Sequence, residues 1–444
     1  MISSTTDMLE QLRAGKLAGA RRLNLLCGLQ EFPREIFELA DTLEILDLSG
    51  NELSSLPDDL PRLRKLRILF CSNNRFTELP AVLGQCPQLS MVGFKANQIC
   101  SVPAAALPPQ LRWLILTDNQ ISELPAELSR CTQLQKLMLA GNRLQRLPHT
   151  LAQCTRLELL RIAANRFEEL PTWLFDLPRL AWLAYAGNPF CADSETAAIS
   201  RTSIKDIRWD ELQLQHKLGE GASGVIHRAA WRRNEGQRDV AVKLFKGAVT
   251  SDGLPHSEMA ACVCVGEHPN LIAVHGRIAD HPAGEDGLVM ALVEERFRNL
   301  AGPPSLDSCT RDIYAADVTF TPDVATSIAL GIASAARHLH EQGIMHGDLY
   351  AHNILRCDEG NALLGDFGAA SFFAPEDRQG AEALQRIEVR AFACLLEELL
   401  ERCGADGSNV KLKTLADLQA RCSHESTEAR PLFAEMQQVL LTLQ

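Results

Sequence analysis

The stretch LEILDLSGNELSSLP, from Leu43 to Pro57, decides the fold of the first part of the chain because close copies of it follow one another. The further copies are LRILFCSNNRFTELP, LSMVGFKANQICSVP, LRWLILTDNQISELP, LQKLMLAGNRLQRLP and LELLRIAANRFEELP. Asparagines fall at positions 51, 74, 97, 119, 142, 165 and 188, a spacing of 23 residues that is broken once by 22. Asparagines in phase over this length indicate a repeat architecture, in which each unit packs on its neighbours.

The pattern is the L-x-x-L-x-L-x-x-N-x-L signature of a leucine-rich repeat. We expect each unit to be one short strand and a return segment, whose stacking buries a continuous core. We interpret the repeated asparagine as structural, because a buried side-chain amide can satisfy main-chain groups left open after each strand. Arg21 to Pro33 is a degenerate first copy, and Met8 to Ala20 is predicted to be a helical cap. Residues 1–200 are therefore assigned to a leucine-rich repeat domain of about seven to eight repeats.

Strand alternation points Leu46, Leu48 and their equivalents into the core and the residues between them to the opposite, concave face. One predicted row on this face is Ile45, Ile68, Met91, Trp113, Lys136, Leu159 and Trp182, and the second is Asp47, Phe70, Gly93, Ile115, Met138, Arg161 and Ala184. Exposed aromatic and methionine side chains often mark protein contacts. We therefore predict a protein partner on Phe70, Trp113, Ile115, Met138 and Trp182. The alternative is that the second half of the chain covers part of this face.

Composition and charge limit the classes of function. The chain has 444 residues, a net charge of -12 and 46% hydrophobic residues, which disfavours nucleic acid or an anionic membrane as a partner. The sequence has no signal-peptide h-region and no apolar stretch long enough to span a membrane, so we expect a soluble, cytoplasmic protein. The 14 cysteines are scattered and are interpreted as reduced, mostly buried thiols rather than a zinc site.

A second pattern begins after Asn188, where the repeat stops and the polar stretch Phe190 to Asp206 marks a domain boundary. From Ile207 the pattern predicts short strands, and from Pro322 mostly helices. The glycine-rich stretch LGEGASGVI, Leu218 to Ile226, could by itself be a dinucleotide turn or a hairpin. A dinucleotide fold would continue into a helix, whereas here VIHRAAW and RDVAVKLFK predict strands.

Further along lie charged residues in an order that suits phosphoryl transfer from ATP. Lys243, in VAVK, supplies a point charge for phosphates, and Glu258 is placed on a helix to pair with it. HGDLYAHNIL contains Asp348 and Asn353, and GDFG follows with Asp366. An acid near the acceptor hydroxyl, with an amide and a second acid as oxygen ligands for magnesium, is what this reaction needs.

Over Ile207 to Gln444 the sequence resembles the eukaryotic-type protein kinase family. The resemblance implies that residues 207–444 form a kinase domain with a β-rich small lobe over a helical large lobe and ATP in the cleft. The predicted fold class is thus an α/β leucine-rich repeat solenoid followed by an α+β bilobal protein-kinase-like domain. The order of the domains resembles leucine-rich repeat kinases, without the signal peptide and transmembrane helix of the receptor-type members.

The same resemblance implies roles for individual residues. Asp348 would be the catalytic base, Asn353 and Asp366 would hold Mg²⁺, and Met290 would sit at the back of the adenine pocket. The residues that would contact the nucleotide are Leu218, Gly219, Gly221, Gly224, Ile226, Lys243 and Glu258.

The sequence departs from the family pattern around the catalytic acid. Gly347 replaces the arginine that often gathers an activation-loop phosphate. If Ala374 to Glu376 is the APE motif, only Ala369 to Phe373 separates it from DFG, and Ser371 is the sole hydroxyl of that loop. Both departures remove parts of a phosphorylation switch, so we hypothesise that loop phosphorylation does not control activity.

Other positions follow or vary the family pattern. Glu388 stands where the family has an acid in the next helix, and Arg430 would be the partner of Glu376. Tyr350 occupies the place of a lysine in many serine/threonine kinases, and a protonated His352 would partly compensate.

The sequence as a whole predicts an ATP- and Mg²⁺-dependent protein kinase directed to serine or threonine, with the repeats recruiting a protein partner. Two alternatives stay open at this point. One is a pseudokinase scaffold, and the other is a kinase that acts on a small molecule, for which the short loop leaves room.

Overall fold

The structure is a computed structural model that describes residues 5–202, 204–221, 223–233, 236–247, 249–250, 252–404 and 409–444. It divides into two compact units, Met1–Arg179 and Leu180–Gln444. This division falls earlier than the proposed domain bounds of 1–200 and 207–444, because the last repeat segment packs with residues of the second unit. The indole Nε1 of Trp182, for example, donates to the main-chain oxygen of Leu349 at 3.1 Å. The domain bounds read from the sequence stay a proposal.

The first unit is built from short strands alternating with 3-10 helical turns. The helix α1, Thr5–Arg13, lies within and just before the predicted helical cap. The strands are β1 Arg22–Asn24, β2 Ile45–Asp47, β3 Ile68–Phe70, β4 Met91–Gly93, β5 Trp113–Ile115, β6 Lys136–Met138 and β7 Leu159–Arg161. Each pairs in parallel with the next, so chain order and sheet order are the same. The predicted unit of one strand and one return segment is therefore present in each copy.

The register of this sheet reproduces the two predicted rows within the first unit. Between β3 and β4, Ile68 pairs with Met91 in the first row, and Phe70 pairs with Gly93 in the second. Gly93 is needed in its row, because a Cβ at that position would lie 2.6 Å from the Phe70 ring. Leu46 and Leu48 are fully buried on the other face, as the alternation predicts.

The repeated asparagines join each repeat to the one before it. The side-chain oxygen of Asn119 accepts from the Ile99 main-chain N–H at 2.9 Å, and its amide donates to the main-chain oxygens of Phe94 at 2.9 Å and Leu116 at 3.0 Å. Asn74 and Asn142 make the equivalent bonds. Parallel strands of three residues leave the main-chain N–H and C=O groups that follow them without hydrogen-bond partners in the sheet. The buried asparagine amides supply those partners.

The second unit combines a six-stranded sheet, two small sheets and helices. Its strands are β8 Trp182–Ala184, β9 Asp206–Arg208, β10 Leu212–Glu220, β11 Gly224–Arg233, β12 Gly236–Phe245, β13 Val274–Ala279, β14 Gly287–Ala291, β15 Arg298–Asn299, β16 Ile344–Met345, β17 Ile354–Arg356, β18 Ala362–Leu364 and β19 Ser371–Phe372. Its helices are α2 Ala192–Arg201, α3 Pro255–Cys264, α4 Pro322–Glu341, α5 Arg378–Glu401, α6 Val410–Cys422 and α7 Phe433–Leu441.

The larger sheet has the order β10-β11-β12-β14-β13-β9 and belongs to a β-rich lobe. One face of it buries Ile207, Trp231, Val242 and Val289 in a single apolar cluster. The helices α4 to α7 form the second lobe. Helix α4 begins where Thr321 accepts from the Val324 N–H with its side chain, which caps the helix start. The strand-then-helix order predicted for this part of the chain is thus observed.

The fourteen cysteines are free thiols and most of them are buried, as predicted. Within the described part of the chain, no helix has both the length and the apolar character needed to span a membrane.

We predict that Asn119→Ala lowers the free energy of unfolding by about 1–3 kcal/mol, because it leaves buried main-chain groups without partners. Chemical denaturation of the full chain, followed by circular dichroism, would measure the change. Gln98→Ala, which removes an exposed side-chain amide in the neighbouring repeat, is the matched control and should leave the transition unchanged. An Asn119→Ala transition that coincides with the control would contradict a structural role for the asparagines.

Candidate active site

A cleft in the second unit gathers most of the residues predicted to bind nucleotide. Its lining includes Gly221, Gly224, Ile226, Lys243, Glu258, Met290 and Asp366. The predicted residues Leu218 and Gly219 lie on β10 outside this lining, and Leu218 is 46% exposed. Sequence reasoning did not single out Ser223, Thr250 or Cys262, which also line the cleft and carry no motif of their own.

The glycine-rich loop is a tight turn between two antiparallel strands. The Gly221 N–H donates to the Gly224 main-chain oxygen at 2.9 Å, which closes the loop. Gly224 packs so closely on β12 that a Cβ would lie 2.4 Å from the Leu244 oxygen. Since β11 follows the loop directly, the strand continuation predicted from the sequence is observed, and a dinucleotide-type strand-loop-helix turn is absent from these described residues.

Lys243 and Glu258 form a buried ion pair at the back of the cleft. Lys243 lies on β12, Glu258 lies on α3, and the lysine Nζ contacts the Glu258 carboxylate. Their side chains are 11% and 2% exposed. Burial alone would lower the pKa of Lys243, but the carboxylates of Glu258 and Asp366 outweigh it and raise that pKa. The cleft therefore holds a permanently charged ammonium group whose position is set by Glu258.

The segment between β16 and β17 holds the candidate catalytic acid. The Asn353 side-chain amide donates to the Asp348 carboxylate at 2.8 Å and to the Asp348 main-chain oxygen at 2.9 Å. His346 is fully buried, and its Nε2 donates to the Gly365 main-chain oxygen at 2.9 Å. These contacts join the acid, the amide and the residue next to Asp366 in one network.

Glu388, on α5, anchors this same segment from inside the helical lobe. Its carboxylate accepts from the Gly347 N–H at 2.8 Å and the His346 N–H at 3.3 Å, while His340 Nε2 donates to it at 2.6 Å. Burial alone would raise the pKa of Glu388, but the hydrogen bond from His340 and the main-chain N–H of Gly347 outweigh it and lower that pKa. Glu388 thus stays ionised inside the protein and fixes the main chain just before Asp348.

Asp366 presents an exposed carboxylate close to the network. Its φ of 55° is left-handed, a conformation that aspartate adopts more readily than most residues. The N–H of Gly365, the residue before Asp366, donates to the Asn353 main-chain oxygen at 2.9 Å. This bond brings together the main chains that carry the two predicted metal ligands, Asn353 and Asp366. A carboxylate and an amide oxygen are a donor set that suits a hard divalent cation.

His352 is held by a carboxylate that the sequence did not reveal. Its Nδ1 donates to Asp312 Oδ1 at 2.7 Å, and its main-chain N–H donates to Asp312 Oδ2 at 3.0 Å. Burial alone would lower the pKa of His352, whereas Asp312 raises it and prevails. Asp312 lies in the stretch before α4, about 40 positions from His352, and no motif marks it.

One prediction about this region is wrong. Trp182, assigned to the partner face, is 1% exposed, and its ring stacks on Tyr350 with centroids 4.1 Å apart. It therefore offers no surface to an external partner. Arg430, predicted to be the partner of Glu376, donates to the main-chain oxygens of His424 and Arg386, and Glu376 is exposed, so their pairing stays a prediction.

Comparison with protein families supports both halves of this description. A model described as protein tyrosine and serine/threonine kinase matches residues 212–399. Two models of leucine-rich repeats match residues 109–167 and 42–63.

Relatives among characterised proteins are distant. Cyclin-dependent kinase 11B of Mus musculus is 24% identical over 211 residues, which is 43% of this chain and 25% of that protein. Serine/threonine-protein kinase PITSLRE of Drosophila melanogaster is 27% identical over 163 residues, 36% of this chain and 16% of that protein. Cytokinesis protein sepH of Emericella nidulans is 27% identical over 226 residues, 46% of this chain and 15% of that protein.

The matched regions thus span a quarter or less of the length of these relatives. The kinase model covers the part of the chain that contains the cleft, and the repeat models match two stretches of the first unit. The chain therefore contains leucine-rich repeats and a protein kinase domain.

Proposed function

We propose that the protein transfers the terminal phosphoryl group of ATP to a serine or threonine hydroxyl of a protein. The observation that carries this proposal is the set of contacts around Asp348: Asn353 holds its carboxylate, Glu388 holds the main chain before it, and Lys243 is fixed by Glu258 in the adjoining cleft. A scaffold that performs no chemistry has no need for a carboxylate held in this way. The choice of serine or threonine is supported by relatives that are named as kinases of that class.

The reaction follows from what each side chain can do. Lys243 binds the phosphates of the nucleotide, because the neighbouring Glu258 carboxylate keeps its ammonium group charged despite burial. The Asp348 carboxylate accepts the proton of the acceptor hydroxyl as that oxygen bonds to the γ-phosphorus and the bond from this phosphorus to the bridging oxygen breaks, which releases ADP. The amide of Asn353 donates to the carboxylate at 2.8 Å and holds it in one orientation.

Magnesium fits the remaining donors of the site. Asp366 and Asn353 would hold the ion with a carboxylate and an amide oxygen, and when bound it would neutralise charge on the phosphates. Asp312 orients His352 and raises its pKa, and in its protonated form His352 adds a positive group four positions after Asp348. This charge takes the place of the lysine that Tyr350 replaces.

The repeats are proposed to recruit a protein through Phe70, Trp113 and Ile115, whereas Met138, also predicted for this face, is buried and supports Trp113. These residues lie on strands β3, β5 and β6 and share one face of the first unit's sheet. Trp113 is braced there, since its Nε1 donates to the Met138 sulfur at 3.3 Å and the Lys136 ammonium lies 4.6 Å from its ring. A rigid aromatic group surrounded by apolar neighbours is a common anchor for protein contacts. Function in the cytoplasm stays a prediction.

We predict that Asp348→Ala lowers the rate of phosphate transfer roughly 10²–10⁴-fold, because it removes the proton acceptor. Transfer of radiolabelled phosphate from ATP to casein, with magnesium present, would measure the rate. Asp317→Ala, which removes an exposed acid before α4, is the control. Equal rates for the Asp348→Ala variant and the unchanged protein would show that Asp348 is not the base.

Lys243→Met is expected to abolish ATP binding and to destabilise the protein by about 3–5 kcal/mol, since it leaves the buried Glu258 carboxylate unpaired. Adding Glu258→Gln should recover most of the stability and none of the binding. Thermal unfolding with and without ATP and magnesium reports both quantities. Lys411→Met, which removes a lysine paired with the exposed Asp323, is the control. An ATP-induced shift that survives in the Lys243→Met/Glu258→Gln variant would refute the assigned role of Lys243.

The partner face is tested with Ile115→Glu, which places a charge among the apolar side chains. We expect radiolabelling of proteins in an extract of the source cells to fall strongly, while transfer to casein stays the same, because only recruitment is lost. Leu26→Glu introduces the same charge at a position that is 47% exposed elsewhere in the first unit. Unchanged labelling by the Ile115→Glu variant would argue that the face recruits no acceptor.

A further inference from the structure

The last repeat segment contacts the residues on both sides of Asp348. We call Leu180–Ala186 the bracing segment; it contains β8 and belongs to the second unit. By sequence it belongs to a repeat copy, whose asparagine follows the segment at position 188. Its contacts, however, are with the catalytic acid's neighbours and with the short loop after DFG.

The first contact fixes the residues that follow Asp348. Trp182 stacks on Tyr350 with an interplanar angle of 6°, and its Nε1 donates to the Leu349 main-chain oxygen at 3.1 Å. Trp182 is 1% and Tyr350 5% exposed. A stacked ring and a hydrogen bond from one side chain hold both the side chain and the main chain of this turn.

The second contact fixes the residue that precedes Asp348. Gly347 has a φ of 72°, and a Cβ there would lie 2.7 Å from the Leu183 main-chain oxygen and 2.5 Å from that of Ala369. No side chain fits at this position while the bracing segment is in place. The absence of an arginine from this position therefore has a steric cause: its space is filled by the bracing segment and the loop.

The third contact involves the sole hydroxyl of the short loop. Ser371 Oγ accepts from the Tyr185 N–H at 3.0 Å and the Ala186 N–H at 3.1 Å, and it donates to the Ala369 oxygen at 3.3 Å. Ser371 is fully buried on β19, which pairs with β16. A hydroxyl with these bonds serves as a structural link and is inaccessible to a modifying enzyme.

We propose that the bracing segment is a positioning element that holds the catalytic loop in its working conformation without loop phosphorylation. The inference rests on the proposed function for its catalytic consequence. Glu388, on α5, holds the catalytic loop through the Gly347 N–H. The bracing segment, which comes earlier in the chain, contacts the same loop at Leu349, Tyr350 and Gly347. With both neighbours of Asp348 fixed, its carboxylate needs no added phosphate to stay aligned.

The test compares Trp182→Ala with Trp182→Phe in the full chain. The first variant removes both the stacking and the hydrogen bond, and the second keeps a stacking ring. Trp173→Ala, on the 3-10 turn Thr172–Asp176 of the first unit, is the matched control. Hydrogen exchange of amides 345–353 reports loop order without requiring activity. The rate constant kcat and the KM for ATP, measured with casein, report the consequence for transfer.

For Trp182→Ala we expect exchange of amides 345–353 to rise about tenfold or more while amides of α4 keep their protection. In the same variant, kcat should fall about tenfold to a hundredfold with little change in the KM for ATP, since alignment is lost rather than binding. Trp182→Phe should recover most of both quantities. Loop exchange equal to that of the unchanged protein, or exchange raised equally throughout α4, would overturn the proposal.

Two further results separate this inference from the proposed function. If the unchanged protein transfers no phosphate, the proposed function fails, and the exchange measurement still decides whether the segment orders the loop. If Trp182→Ala does not fold, Trp182→Phe is used in its place, and the proposal requires a smaller rise in exchange confined to 345–353. Mass spectrometry of active protein should find Ser371 without phosphate, and a phosphorylated Ser371 would overturn the proposal.

Discussion

The arrangement of the active site depends on one buried carboxylate. Glu388 lies inside the helical lobe and stays ionised because His340 and two main-chain N–H groups compensate its charge. Removing a charged group from water costs several kcal/mol, so the compensating groups must keep their positions for the fold to be stable. Two of these groups belong to the residues that precede Asp348, which makes the geometry of the catalytic acid a condition of folding.

The first unit applies the same physical rule in a neutral form. A repeat strand of three residues leaves main-chain groups unpaired, and an asparagine from the next repeat satisfies them, as Asn119 does for Ile99 and Phe94. The amide carries donors and an acceptor, so one side chain completes the hydrogen bonding of two repeats without burying a charge. The same neutral arrangement can therefore recur in successive repeats. The ionised Glu388, by contrast, depends on compensating groups that meet at one place in the structure.

The bracing segment shows how a repeat copy can be adapted to the kinase domain. Its strand keeps the leucine pattern, yet Trp182 in the outward row stacks on Tyr350, the Leu183 oxygen lies against Gly347, and the Tyr185 N–H donates to Ser371. Tyr350 stands where many kinases have a lysine, and the stacking partner gives that substitution a structural reason. The short loop after DFG is compatible with this arrangement because Ser371 is bonded inward, not presented to solvent.

The sequence by itself determined the repeat architecture, the rows of the first sheet, the strand-loop-strand turn and the family of the second unit. Each of these is a periodic or local pattern, whose spacing follows from strand alternation or from a motif of adjacent residues. The tertiary structure decided that Trp182 is buried, that Asp312 orients His352, and that Arg430 bonds to the main-chain oxygen of Arg386. These contacts join residues tens to more than a hundred positions apart, and no local spacing encodes them. A Trp on an alternating strand has the same pattern whether its outward face meets solvent or another part of the chain, so only packing could distinguish the two.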